Sequence, residues 1–281
     1  MKGQLLTEDL INQFKSYLLS EEKSLNTIEK YLRDVKAYLS YLKGRNVTKE
    51  LMIAYKQKLI EDGYAARSIN SMLASINSLF SFLGWSDCKI KSIRIQQHIF
   101  CSEEKELTKE EYLRLVNTAK EKKNDRLNLI LQTICATGIR VGELQFITVE
   151  AAKTGEATVK CKGKIRTVII AQELKKKLLN YAKEKHISTG AIFITRNGNP
   201  ISRTSIWREM KALCKDAKIN PNKVFPHNLR HLFARTFFNI EKDIVKLADI
   251  LGHSSINTTR IYIVSTGTEH RKKMECLRLI T

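Results

Sequence analysis

Four short segments hold most of the side chains able to do chemistry. Residues 136–144, ATGIRVGEL, set Gly138 where it breaks one helix and Arg140 where the next begins. A guanidinium at a helix N-terminus, beside backbone N–H groups, suits a phosphate oxygen. Glu143, three residues on, orients that guanidinium. Residues 161–166, CKGKIR, place Lys162 at the tip of a turn, able to enter a groove and deliver a proton. In residues 225–231, FPHNLRH, His227 and Arg230 share one helix face, a pair able to grip two oxygens of one phosphate. His231 points about 100° away from Arg230, as a packing or supporting residue. Residues 251–262, LGHSSINTTRIY, end a helix at Gly252 and put His253 in the turn. Ser254 or Ser255 caps the next helix, and Tyr262 lies about two turns along. Each segment also has a plainer reading: a surface ion pair for Arg140 and Glu143, a solvated turn for Lys162, a helix cap for His227, a half-buried packing ring for Tyr262.

Composition narrows the partner. Lys and Arg number 49 against 29 acidic residues, a formal net charge of +20 over 281 residues. Such an excess points to a polyanion, either nucleic acid or an anionic membrane surface. No run of about eighteen apolar residues exists, so no segment is expected to span a bilayer. The N-terminus turns acidic at Glu8, where a signal peptide needs an apolar stretch, which argues against export. The six cysteines (Cys88, Cys101, Cys135, Cys161, Cys214, Cys276) are scattered, with no C-x-x-C pair and no His at zinc spacing. Neither a disulfide scaffold nor a structural zinc site is expected.

The elements that must carry these groups fall into two parts, with a mainly α fold expected. Apolar residues recur at helical spacing over 7–19, over a second helix capped by Ser24 or Asn26 and stopped by Gly44, over 48–62, and over 66–83. These make a four-helix unit with its own core. Lys30, Arg33, Lys36 and Arg67 on it either face phosphates or solvate helix surfaces. Residues 89–98 are basic without helical periodicity, and read as a linker or an exposed strand. Thr108 and Glu111 form a capping-box signature, followed by helices over 108–120 and 124–137. Residues 157–161 and 165–170 read as a hairpin. A further strand is expected at 192–195, with a turn at Asn197 and Gly198. Helices follow over 172–185, 204–217, 227–239, 244–251 and 255–262. The expected division is therefore 1–88, a linker over 89–106, and 107–281.

TGIRVGEL, HNLRH and LGHSSINTTRIY, in that order and at these separations, resemble the tyrosine recombinase family (phage integrase, Xer/Cre-like). The resemblance covers nearly the whole chain and implies an N-terminal SAM-like core-binding domain that binds DNA. It implies a C-terminal α-rich catalytic domain with a small antiparallel sheet. The implied activity is site-specific DNA recombination in integration and excision, inversion or dimer resolution, through a 3′-phosphotyrosyl intermediate and a Holliday junction. By the same resemblance Tyr262 is the nucleophile, Arg140, Arg230 and His253 bind the scissile phosphate, His227 assists, and Lys162 is the general acid. The family's usual hairpin reads G-K-G-N-K-E-R, so Lys164 is the alternative acid. The implied partners are double-stranded DNA with paired inverted half-sites and further copies of the chain, two per site and four per synapse, in bacterial cytoplasm or nucleoid. Two domains leave no room for an extra arm-binding module. The tail from 263, with Met274, Leu277 and Ile280, packs on its own domain or on a neighbour.

The chemistry suits these groups. A covalent phosphotyrosine conserves the bond energy that hydrolysis would lose. Tyrosine titrates near 10 and needs help at neutral pH, which guanidinium groups supply. Removing one such preplaced donor typically costs about 3 kcal/mol. With cations doing this work and no carboxylate cluster beside the motifs, neither a metal nor another cofactor is expected. The competing readings are a type IB topoisomerase and a catalytically silent DNA-binding regulator.

Overall fold

A computed structural model describes residues 4–95, 106–161, 164–262 and 275–276, with Cys161 and Lys164 described in backbone only. The chain divides into two compact units, Met1–Gln97 and His98–Thr281.

The first unit holds α1 (Glu8–Ser20), α2 (Leu25–Leu42), α3 (Lys49–Glu61) and α4 (Ala66–Phe82). Thr7, Ser24 and Thr48 cap the first three, each side-chain oxygen accepting a backbone N–H three residues on. Phe14, Leu18, Val35, Tyr38, Leu73, Ile76 and Phe80 fill its core. Asp34 is buried there and accepts from Lys30 at 2.9 Å, Arg33 at 3.2 Å and the Ser75 hydroxyl at 2.9 Å. Lys30 also donates to the Ser71 carbonyl at 2.6 Å, so its ammonium serves the α2–α4 packing. Arg67 is exposed.

Residues 89–95, expected as linker, run along α4. Asn77 exchanges hydrogen bonds with the backbone N–H and C=O of Ile90, and Asn70 does so with Ile93. Seven residues are two helical turns, so both amides face the same way and hold one extended chain. Ile90 is buried as a result. Residues 96–105 lie outside the described residues.

The second unit begins with α5 (Lys109–Glu121), opened by the Thr108–Glu111 capping box. Next come α6 (Asp125–Thr137), a 3-10 turn (Val141–Phe146), α7 (Val149–Thr154), and β1 (Glu156–Cys161) paired with β2 (Lys164–Ile169). After these are α8 (Gln172–Glu184), α9 (Arg203–Asp216), α10 (Pro226–Glu241), α11 (Ile244–Leu251) and α12 (Ile256–Arg260). α6 is the axis of this unit. Leu127, Leu129, Ile130, Leu131 and Ile134 are buried on all its sides, and it packs against α5, α8, α9 and α10. The hairpin is antiparallel, with Ala157 opposite Val168 and Val159 opposite Arg166.

The strand expected over 192–195 is reduced to isolated bridges, Thr148 with Ala191 and Ile194 with Pro200. Ile192 and Phe193 are both buried, which no half-exposed strand allows. Thr195 turns back onto Asn199, and Arg126 takes the Ile194 carbonyl, so no edge is left to pair.

Gly138 ends α6 in the left-handed region at φ +62°. A Cβ there would lie 2.5 Å from Phe233 Cδ1 and 3.0 Å from Leu251 Cδ2. Gly138→Ala therefore meets both a backbone penalty of roughly 1–2 kcal/mol and an overpacked contact of about 1–3 kcal/mol. The urea midpoint of the second unit is expected to fall accordingly, with the first unit's transition unmoved.

Candidate active site

The end of α6 and the end of α11 meet here, and both ends carry free carbonyls. Residues past Gly138 run extended to Arg140, which precedes the 3-10 turn rather than an α-helix. Arg140's own N–H is occupied, donating to Glu143 Oε2 at 3.0 Å. Its guanidinium donates to Glu143 Oε1 at 2.9 Å and approaches the Gly252 carbonyl at 3.4 Å. The Arg140 side chain is 42% exposed, so it faces solvent from a fixed base. Burial pushes the Glu143 carboxyl up, but the Arg140 N–H, the Arg140 guanidinium and Arg166 more than offset it and keep it below the usual carboxylate range.

Arg230 sits one turn into α10, which starts at Pro226, a residue suited to the first helical position. It is 1% exposed, an uncommon place for a cation. Its guanidinium donates to the Gly138 carbonyl, to Leu251 O at 2.6 Å and toward His253 Nε2 at 3.0 Å. Burial, then the charge on Arg140, draws it down to about 10, so it stays a cation at neutral pH. Its Nε is buried without a partner among the described residues, as are those of Arg126 and Arg166.

A guanidinium only donates, so His253 Nε2 accepts, and its Nδ1–H faces Thr259 Oγ1 at 2.9 Å. Burial and the neighbouring arginines push His253 down to about 4. Tyr262, just past α12, is 5% exposed. Its hydroxyl is 3.3 Å from His227 Nε2, and its ring stacks on His231 with centroids 4.2 Å apart. The His253 ring lies 5.1 Å from it and the Arg230 guanidinium 6.0 Å. Burial lowers His227, aided by Arg230 and Arg140, and lowers His231 to about 4, aided by His227 and Arg230. All three imidazoles are neutral at pH 7.

Five of the six expected site residues thus converge: Arg140, His227, Arg230, His253 and Tyr262. The sixth, Lys162, lies outside the described residues, as do the tail residues Met274, Leu277 and Ile280. The backbone of Lys164 pairs with Cys161 at the end of the ladder. Among the described residues, two contributors were not expected from the sequence: Thr259, which holds His253, and Arg166. It donates to Glu143 Oε2 at 2.6 Å and to the Ile250 carbonyl at 2.7 Å. The available signal was an arginine in register with buried Val159. Among the described residues no cluster of three or more His, Cys, Asp or Glu could hold a metal ion.

The profile of the Phage integrase family matches residues 105–269, and that of the Phage integrase N-terminal SAM-like domain matches residues 11–87. Tyrosine recombinase XerA of Pyrococcus furiosus is 30% identical over 290 residues, covering 100% of this chain and 98% of the relative. Tyrosine recombinase XerD of Halalkalibacterium halodurans is 31% identical over 269 residues, covering 88% and 90%. In fold the chain is similar to a lambda integrase dimer bound to a core site, with a TM-score of 0.76 over 94% of this chain and 97% of that one at 19% identity. The buried guanidinium, the phenol boxed by imidazoles and a family match over more than half of its length lead to one conclusion: the chain belongs to the phage integrase family and is a tyrosine-type site-specific DNA recombinase.

Proposed function

We propose that Tyr262 attacks one phosphate of duplex DNA, forms a 3′-phosphotyrosyl bond and expels the 5′ hydroxyl. The observation that carries this reading is the Tyr262 hydroxyl lodged 3.3 Å from His227, with Arg230 and His253 against the same ring. His227 is neutral and within reach of the phenol proton, so it serves as the base or proton relay. Arg140 and Arg230 receive the charge that gathers on the non-bridging oxygens. His253 accepts from Arg230 in the DNA-free arrangement, and a phosphate would draw its proton toward Nε2, where it becomes a donor. Lys162, or Lys164 in its stead, protonates the leaving oxygen. The first unit is a core-binding domain that takes in the 89–95 segment held along α4, and the residues from 107 onward form the catalytic domain.

The partner in this reading is a DNA site of two inverted half-sites. Two copies bind each site, four form the synapse, and exchange passes through a Holliday junction. The net charge of +20 supports a DNA partner. Among the described residues no helix is long and apolar enough to cross a membrane, which fits work in the cytoplasm or nucleoid. The recombinase relatives leave the topoisomerase-like and silent-regulator readings without support.

Two outcomes test this. Incubated with a pool of nicked duplexes of randomised core sequence, the protein is expected to yield a denaturation-stable adduct, whose DNA defines the site. Tyr262→Phe abolishes that adduct and leaves affinity for the recovered duplex nearly intact; an adduct formed by the variant rejects the assignment. Acidity is the second test. His231 and His253 titrate near 4 in the folded chain against 6.5 ordinarily, so below pH 6.5 the unfolded chain binds more protons. Stability of the second unit therefore falls as the pH drops from about 6.5 toward 4. Urea midpoints at about pH 7.5 and about pH 5 are expected to show this loss, and His231→Phe, which keeps a ring on Tyr262, to reduce it.

A further inference from the structure

One strand position in the hairpin runs against its own alternation. Ala157, Val159 and Val168 face the core, and Arg166 shares their face opposite Val159. Ile165 and Ile169 occupy the outer face, 70% and 72% exposed. A one-sided antiparallel hairpin ordinarily turns its isoleucines in and its charges out. Burying a guanidinium is costly unless its donors find partners.

Those partners are specific. The Arg166 side chain is 12% exposed; its two terminal nitrogens are spent on Glu143 and on the Ile250 carbonyl, while its Nε is buried without a partner among the described residues. Glu143 also holds Arg140, through both the backbone N–H and the guanidinium. Ile250 is the penultimate residue of α11, three residues before His253. Gly252, at φ +64°, passes so close that any Cβ there would collide with Arg166 Cδ. Arg166 thus ties three pieces together: the strand leaving the hairpin turn, the turn that follows Arg140, and the turn that carries His253.

We propose that Arg166 is a positioning residue for strand cleavage, setting Arg140 through Glu143 and the His253 turn through the Ile250 carbonyl so that both meet the same phosphate. It acts through these residues and does not touch DNA itself. The assignment rests on the reading of Tyr262 as nucleophile, and the test separates the two.

The measurement is the single-turnover rate of adduct formation on the duplex recovered from the randomised pool, for wild type, Arg166→Met, Glu143→Gln and the double variant. DNA affinity and the thermal midpoint are recorded alongside. Arg166→Met and Glu143→Gln are each expected to slow the rate about a hundredfold, the scale of a small misplacement of a catalytic group. DNA affinity stays nearly unchanged. The double variant is expected to fall short of the product of the two single losses, because both changes break the shared Arg166–Glu143 bond while each also touches a contact of its own. Arg166→Lys keeps the charge but reaches only one of the two acceptors, so its rate falls between wild type and Arg166→Met. Should Arg166→Met lose its cooperative melt, Arg166→Lys takes its place in the cycle. A wild-type rate in the Arg166 variant, or losses that multiply in the double variant, overturns the proposal while leaving Tyr262 in place. No adduct with wild type, or one persisting in Tyr262→Phe, removes the functional reading and this assignment with it.

Discussion

Three consecutive carbonyls close α11, and each receives a different guanidinium: Ile250 from Arg166, Leu251 from Arg230 and Gly252 from Arg140. The end of a helix has carbonyls without intrahelical partners and carries the negative pole of its dipole. Those carbonyls offset part of the cost of gathering cations there, and each charge-assisted bond is worth roughly 1.5–3 kcal/mol. Arg230 spans two such ends, since it also bonds the Gly138 carbonyl that finishes α6. The glycines at 138 and 252 make both ends possible by taking left-handed backbone where a side chain would collide.

Burial first, and then repulsion from the neighbouring cations, lowers Arg230 and the imidazoles of His231 and His253. Glu143 offsets part of that repulsion by standing between Arg140 and Arg166. The rest is an electrostatic demand for an anion, built into the fold before DNA arrives. A phosphate entering such a site meets donors already oriented, with little reorganisation left for the moment of reaction. The phenol is handled differently. Its ring is packed among histidines, so the proposed nucleophile is held by shape while its hydroxyl stays beside the His227 imidazole.

Local order was readable from single residues. Thr108 with Glu111, the caps at Thr7, Ser24 and Thr48, and the stop at Gly138 are near-neighbour effects, and the helices they bound formed as expected. The converging groups were found by motif, but their geometry was not legible. Nothing near Arg230 in the chain announces that its partners are the carbonyls of residues 138 and 251. His231 was read as a supporting residue from its angle on α10, yet the ring it supports is 31 positions away. The strand over 192–195 failed for a complementary reason. Its composition is β-prone, but a strand needs a neighbour, and the turn through Asn199 and the bond from Arg126 had already used the backbone. Arg166 hid in an isoleucine-rich run whose inward face is decided by register alone.

The claim underneath is that the guanidiniums of Arg140 and Arg230, the His253 ring and the Tyr262 hydroxyl address a single phosphate. A structure of the chain on its recovered duplex, with Tyr262→Phe blocking reaction, tests this directly. The expected complex has both guanidiniums and His253 within hydrogen-bonding distance of the non-bridging oxygens of one phosphate. The aromatic ring at position 262 is directed at that phosphorus, opposite the 5′ oxygen. Arginines bound to different phosphates, or a ring at that position turned away from the one they share, would contradict the account.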